Sequence, residues 1–287
     1  MFLVSFLIVL AFTLPTALAA PTSTFTSHSP TFNPRDEDLL LSPRSRIAIP
    51  QSLTNAQRLK AGLPPKAPRR FRSKDDYDSP LPGSPYPPYP MPSSHPGSQT
   101  RGFIQVSESS TGNVIGFVGN SFVLDGEYGI ILPSAPREER LLVNVNRGMG
   151  GAQGIRTSNS PDDKFPYLGS ILGFGSPSGN LGPGSFSYTY IGGTNKRTAP
   201  GSQPQALSNS FTASTGINRE VESSVFTLHP DDSVTIQWVN EDSWAHESPS
   251  YIGVIASNIL FATGDKGEFS RVFGAVTWVD FKFIPMN

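Results

Sequence analysis

Two histidines, His229 and His246, lie in the part of the sequence that is predicted to fold, and they are its first candidates for acid–base or metal chemistry. His246 belongs to residues 240–247, the densest polar cluster of the chain. Its neighbours could bind a hard cation or act as acid and base, and they are Glu241, Asp242 and Glu247. A solvated loop between two strands is the alternative interpretation. His229 ends a predicted strand, and we expect a hydrogen bond there rather than catalysis.

Carboxylates are the second group of candidates, because glycoside hydrolysis uses two of them about 5–10 Å apart. Glu220 and Glu222 would share a strand face, and Asp162 and Asp163 lie in a loop. The sequence places no acid opposite any of them. There is no cysteine, no Gly-x-Ser-x-Gly motif and no His-Glu-x-x-His motif, which excludes thiol chemistry and indicates no metal site. We therefore predict no catalytic residue, no bound metal and no cofactor.

Aromatic side chains are the best candidates for binding, since a ring on a rigid strand contacts a sugar at little entropic cost. In residues 276–284 two sets of side chains alternate, and the set predicted to face the core is Thr277, Val279, Phe281 and Phe283. Trp278 lies on the opposite side of that strand, with Asp280 and Lys282. We predict that Trp278, Tyr188 and Tyr190 bind the ligand, with packing in the core as the alternative for each.

Short strands are the elements that must position these residues. From Gly102 onward, short alternating runs are interrupted by Gly, Asn, Asp and Pro, which is typical of an all-β domain. We expect an antiparallel β-sandwich or jelly roll over residues 102–287. Gly-rich loops between Gly148 and Gly201 are a second place where binding could occur. The predicted strands are 103–107, 114–118, 121–124, 128–132, 140–145, 170–174, 186–191, 221–228, 234–239, 251–255, 259–262, 269–273 and 276–284.

The first residues have the pattern of a removable signal peptide. Residues 2–14 are apolar apart from two hydroxyl side chains, and residues 17–19 form a small-x-small cleavage site. The apolar run is too short to cross a bilayer core of about 30 Å. We predict that residues 1–19 are removed after Ala19, and that the product is secreted and extracellular, with no membrane association.

Proline dominates the next part of the chain, where sixteen of the 28 prolines lie between residues 21 and 100. Proline fixes φ and removes a backbone donor, so this composition predicts a disordered region before the β domain. Arg69 and Arg70 form a dibasic pair that a kexin-type protease could cut. We expect a propeptide over residues 20–70 and a Pro-rich linker over 71–101. The alternative is a basic patch that is never cut.

The formal charge is +4 over residues 20–100 and −5 over residues 101–287. A mildly acidic domain argues against a nucleic-acid partner, whose binding depends on clustered basic charge. The candidate partners are therefore a cell-wall glycan or another secreted protein.

Residues 54–65 have the sequence TNAQRLKAGLPP, and this stretch follows the predicted signal peptide. Together with residues 165–174, 180–185, 190–194, 237–240 and 263–265, it resembles an uncharacterised group of secreted basidiomycete fungal proteins. The resemblance implies a fungal, extracellular setting and carries no activity or site. We expect a secreted, non-enzymatic β protein with a binding or structural role at the fungal cell surface or matrix. The alternative is a secreted polysaccharide-active hydrolase that uses paired carboxylates.

Overall fold

The computed structural model of the chain describes residues 30–41, 99–241 and 248–286. Its helices are α1 (Asp36–Leu41), α2 (Ser210–Thr215) and α3 (Lys266–Phe273), with a 3₁₀ turn at Arg137–Glu139. The strands are β1 (Gln99–Glu108), β2 (Val114–Val123), β3 (Glu127–Ile131), β4 (Leu142–Asn146), β5 (Arg156–Thr157), β6 (Tyr167–Leu172), β7 (Tyr188–Thr194), β8 (Val221–Glu222), β9 (Phe226–Leu228), β10 (Ser233–Trp238), β11 (Ser248–Val254), β12 (Leu260–Thr263) and β13 (Thr277–Pro285).

These strands form one antiparallel sheet in the order β8-β6-β5-β4-β1-β2-β3-β7-β12-β11-β13-β10-β9. The sheet also closes on itself, because β1 pairs with β13 and β6 pairs with β7. The predicted all-β, antiparallel fold is confirmed. The strands are hydrogen-bonded to one another in one continuous series. The arrangement of these strands as a sandwich or jelly roll stays a prediction. β1 begins at Gln99, three residues before the predicted start of the domain.

In strand β13, the alternation of apolar and polar residues predicted which side chains face the core. Val279, Phe281 and Phe283 are almost completely buried, whereas Asp280 and Lys282 are exposed. Thr277 was expected on the core side but is exposed at the first position of the strand. The first hydrophobic cluster gathers residues from β1, β2, β4, β10 and β13, and its members include Ile104, Val106, Val118, Val143, Val145, Val234, Ile236, Phe281 and Phe283.

A second hydrophobic cluster is mainly aromatic and lies under α3. It contains Tyr188, Tyr190, Phe211, Phe261 and Phe269, all with no exposed surface. Phe261 and Phe269 stack with ring centroids 4.1 Å apart. This cluster therefore attaches α3 to strands β7 and β12.

The predicted strand at 269–273 is wrong, because these residues form the end of α3. The Asp265 side chain accepts hydrogen bonds from the backbone N–H groups of Gly267 and Glu268, which caps the first turn. The helix ends at Phe273 and is capped by Gly274, whose φ of 92° lies in the region that favours glycine. Phe269 and Phe273 are four residues apart, so both rings reach the same aromatic cluster.

Residues 30–41 are an exception to the expected disorder of the region before the domain. They include α1, and their N-terminal part packs on the β domain through Phe32 and Asn33. The cleavage site at Ala19, the dibasic pair Arg69–Arg70 and the rest of the proposed propeptide lie outside the described residues. Residues 71–98 of the proposed linker also lie outside them, whereas residues 99–101 belong to β1.

Candidate functional site

Trp278 lies where alternation placed it, on the side of β13 that faces away from the first core. It is only partly exposed, because its ring packs against Phe261 at 5.9 Å and Phe269 at 6.3 Å between centroids. The Lys266 ammonium lies 5.1 Å from the centroid of the Trp278 ring. Helix α3 thus covers part of this residue, and Trp278 is not the open flat surface that the sequence suggested.

Tyr251 on β11 is the exposed aromatic residue of this region, with 46% of its surface accessible. The Lys266 ammonium lies 4.8 Å from the Tyr251 ring centroid, so one cation contacts both Tyr251 and Trp278. Sequence reasoning missed both Tyr251 and Lys266. Tyr251 was at the start of a predicted strand, and the sequence did not show which side chains would contact it. Lys266 preceded a segment that was predicted as a strand.

A groove of about 450 Å³ runs beside Tyr251. It lies where β10 changes partner: Val234 pairs with Phe281 of β13, whereas Ile236 pairs with Ser250 of β11. Because the neighbouring strands separate there, the outer face has a depression rather than a flat surface. Polar side chains on its walls include Thr235, Gln237, Lys266, Asp280 and His229, and apolar ones include Val234, Ile252 and Val279. We call this depression, together with Tyr251, the outer groove.

His229 follows β9 and lines the outer groove, where its Nε2 lies 2.8 Å from the Thr235 hydroxyl oxygen. The predicted hydrogen-bonded histidine at the end of a strand is therefore confirmed. Glu241 is described, but His246, Asp242 and Glu247 lie outside the described residues. Within the described part of the chain, no group of three or more His, Asp or Glu side chains could hold a metal ion.

Tyr188 and Tyr190 cannot form an exposed binding surface, because both are completely buried. The alternation in β7 did not show this, since all seven residues of that strand are buried. Instead, their rings contact Phe32 from the N-terminal segment, and both hydroxyls donate to the Phe32 carbonyl oxygen. Burial raises the pKa of both phenols well above the usual value for tyrosine.

Two carboxylates of the β2–β3 hairpin lie beside the same N-terminal segment. The Asn33 side-chain nitrogen donates to Asp125 at 2.9 Å and to Glu127 at 3.1 Å. Glu127 has no exposed surface, and this burial raises its pKa from 4.5 to about 7. Partial burial, opposed by the Asn33 hydrogen bond, also raises the pKa of Asp125.

Of the acids considered for catalysis, Glu220 forms a carboxyl pair with Glu241. Partial burial is the main cause that raises the pKa of Glu220, and the charge and hydrogen bonding of Glu241 raise it further. Glu222 is buried, and its carboxylate accepts from the Val239 backbone N–H at 3.2 Å. Asp162 accepts from the Lys164 backbone N–H at 2.9 Å, which is a structural loop contact.

Comparisons with family models, with curated proteins and with solved structures gave no match to this chain. None of the helices in the described part of the chain has the length and apolar composition of a membrane span.

Proposed function

We propose that this protein is a secreted, non-enzymatic binding protein whose outer groove holds a neutral polysaccharide at the fungal cell surface or matrix. The observation that carries the proposal is the exposed Tyr251 ring beside a groove that both polar and apolar side chains line. Secretion and the fungal setting come from the signal-peptide pattern and from the resemblance of residues 54–65 and later stretches.

The chemistry of the outer groove suits a sugar chain. A tyrosine ring offers an apolar surface for the C–H face of a pyranose, and its rigid strand limits the entropy lost on binding. Around it, Asp280 can accept hydrogen bonds from sugar hydroxyls, and Lys266 can donate to them. These opposite charges favour a neutral ligand over a strongly charged one. A volume of about 450 Å³ lies within the range of small-ligand pockets.

The test is depletion of the purified protein by particulate chitin, cellulose and β-glucan. We expect one of them to retain the protein, and Tyr251→Ala to weaken retention by about tenfold or more, since a lost stacking contact of about 1.4 kcal/mol has that effect. Tyr167→Ala is the matched control, because Tyr167 is a partly exposed tyrosine on another strand, β6. Equal retention of the wild type and Tyr251→Ala would rule out the outer groove.

A polysaccharide hydrolase is the second candidate, and the carboxyl pair of Glu220 and Glu241 favours it. The raised pKa of Glu220 suits a general acid. However, the two carboxyl groups are close enough for the charge and hydrogen bonding of Glu241 to raise the pKa of Glu220, whereas glycosidases hold their two carboxyl groups about 5 Å or more apart. Release of reducing sugar from the same polysaccharides distinguishes the two functions. Turnover that Glu220→Gln abolishes would overturn the non-enzymatic proposal.

A further inference from the structure

We propose that the aromatic pocket under α3 is a peptide-recognition site for a Phe-Asn sequence. Its occupant is residues 31–33 of this chain, and the pocket retains this segment after the chain between residues 42 and 98 is cut. The proposal is independent of the outer groove. We call the site the Phe32 pocket, formed by Tyr188, Tyr190, Phe261, Phe269 and Phe273.

The Phe32 ring has the contacts expected of a specific anchor. It stacks on Tyr188 with centroids 4.5 Å apart and an interplanar angle of 13°. The other four rings meet it edge-on at 5.3 to 5.9 Å. Aromatic pairs prefer offset-stacked and edge-to-face arrangements such as these. An aliphatic side chain could fill part of this space, but it would lose these ring contacts.

The pocket also binds the backbone of the segment. Two buried hydroxyls, from Tyr188 and Tyr190, donate to the single carbonyl oxygen of Phe32, the second at 2.5 Å. Gly175 lies against the Thr31 carbonyl, since a Cβ at Gly175 would be 2.4 Å from that oxygen. The pocket therefore contacts the backbone of this segment as well as its side chains, as in recognition of a peptide.

The pocket selects the residue that follows Phe32 by its charge. Asn33 uses its side-chain nitrogen for Asp125 and Glu127 together. Once both are ionised, above about pH 7 for Glu127, these carboxylates offer only acceptors. An aspartate in place of Asn33 would bring a third carboxylate to the same place. A hydrophobic residue would leave Glu127 buried without this donor. The combination therefore favours asparagine after phenylalanine.

The described contacts that hold residues 31–33 all come from the β domain. From Arg35 onward, the described hydrogen bonds of the segment are local, as between the Arg35 N–H and Asp38. Residues 42–98, which include Arg69 and Arg70, separate the segment from β1. A cut in that stretch would make the segment a separate chain, and the pocket contacts would remain.

The first experiment uses the full secreted chain with a site for a sequence-specific protease inserted between Ser73 and Lys74. After cutting, size-exclusion chromatography and mass spectrometry show whether the N-terminal piece elutes with the domain. We expect co-elution for the wild type and release for Phe32→Ala. Glu37→Ala is the matched control and should co-elute, because the Glu37 side chain is 70% exposed. Complete separation of the wild-type pieces, or retention of the Phe32→Ala piece, overturns the proposal.

A second experiment leaves the domain unchanged, so a folding defect cannot explain its result. Cut wild-type protein is mixed with an excess of a fluorescent synthetic peptide of residues 29–41, and the bound fluorescence is measured. We expect the peptide to replace the bound piece, with at least about tenfold weaker binding for peptides that carry Phe32→Ala or Asn33→Asp. Equal binding of all three peptides, or of none, contradicts the proposal.

Discussion

Glu127 predicts how the stability of the fold depends on pH. Its carboxylate is buried between Asn33 and the Asp125 backbone N–H, and burial raises its pKa from 4.5 to about 7. Between these values the folded protein keeps a proton that the unfolded chain has lost. The stabilisation is therefore complete below pH 4.5 and falls as pH rises to about 7. At about 1.4 kcal/mol per pKa unit, this shift corresponds to about 3 kcal/mol.

The perturbation is Glu127→Gln, which keeps the size of the side chain and cannot titrate. The assay is urea denaturation of both proteins at pH 4.5 and at pH 8, with the change in the free energy of unfolding as the readout. We expect the wild type to lose about 3 kcal/mol more than the variant between the two pH values. The exposed Glu139→Gln is the control. Identical pH dependence of wild type and Glu127→Gln would refute the reasoning.

Two further substitutions test the packing around α3 and the loops. Trp278→Ala should lower the free energy of unfolding by about 2 kcal/mol, less than for a fully buried tryptophan, because the ring is only partly covered by Phe261 and Phe269. A change under about 0.5 kcal/mol in urea denaturation would show that the ring is not packed. Gly264→Ala should lower the melting temperature strongly, since its Cβ would lie 2.3 Å from the Gly182 backbone nitrogen. Gly150→Ala, with no atom within 4 Å, should leave the melting temperature unchanged, and equal effects would contradict the steric account.

The strand faces were predictable from sequence wherever one face alone is buried. In β10, Val234, Ile236 and Trp238 are buried, because a period of two places alternate residues on the core side. The same rule gave no information for β7, where both faces are covered. There the cover comes from α3 and from Phe32, which is 156 residues away from Tyr188. A single sequence does not show such a distant contact.

Helix α3 was missed because a short apolar run fits a strand or a helix equally well. The sequence did contain a signal: Asp265 followed three residues later by Glu268, with Gly274 at the other end. Missing this helix also meant missing Lys266, which α3 places over Trp278 and Tyr251. The outer groove itself depends on a change of strand partner, which local patterns do not specify.

The most direct test of the outer groove is titration calorimetry with a soluble oligosaccharide of the polysaccharide that retains the protein. Three proteins are compared: wild type, Tyr251→Phe and Tyr251→Ala. Because the aromatic ring supplies the stacking surface, we predict that Tyr251→Phe keeps its affinity within about threefold, while Tyr251→Ala loses about tenfold or more. If Tyr251→Ala binds as tightly as the wild type, or if Tyr251→Phe loses as much as Tyr251→Ala, the sugar does not stack on this ring.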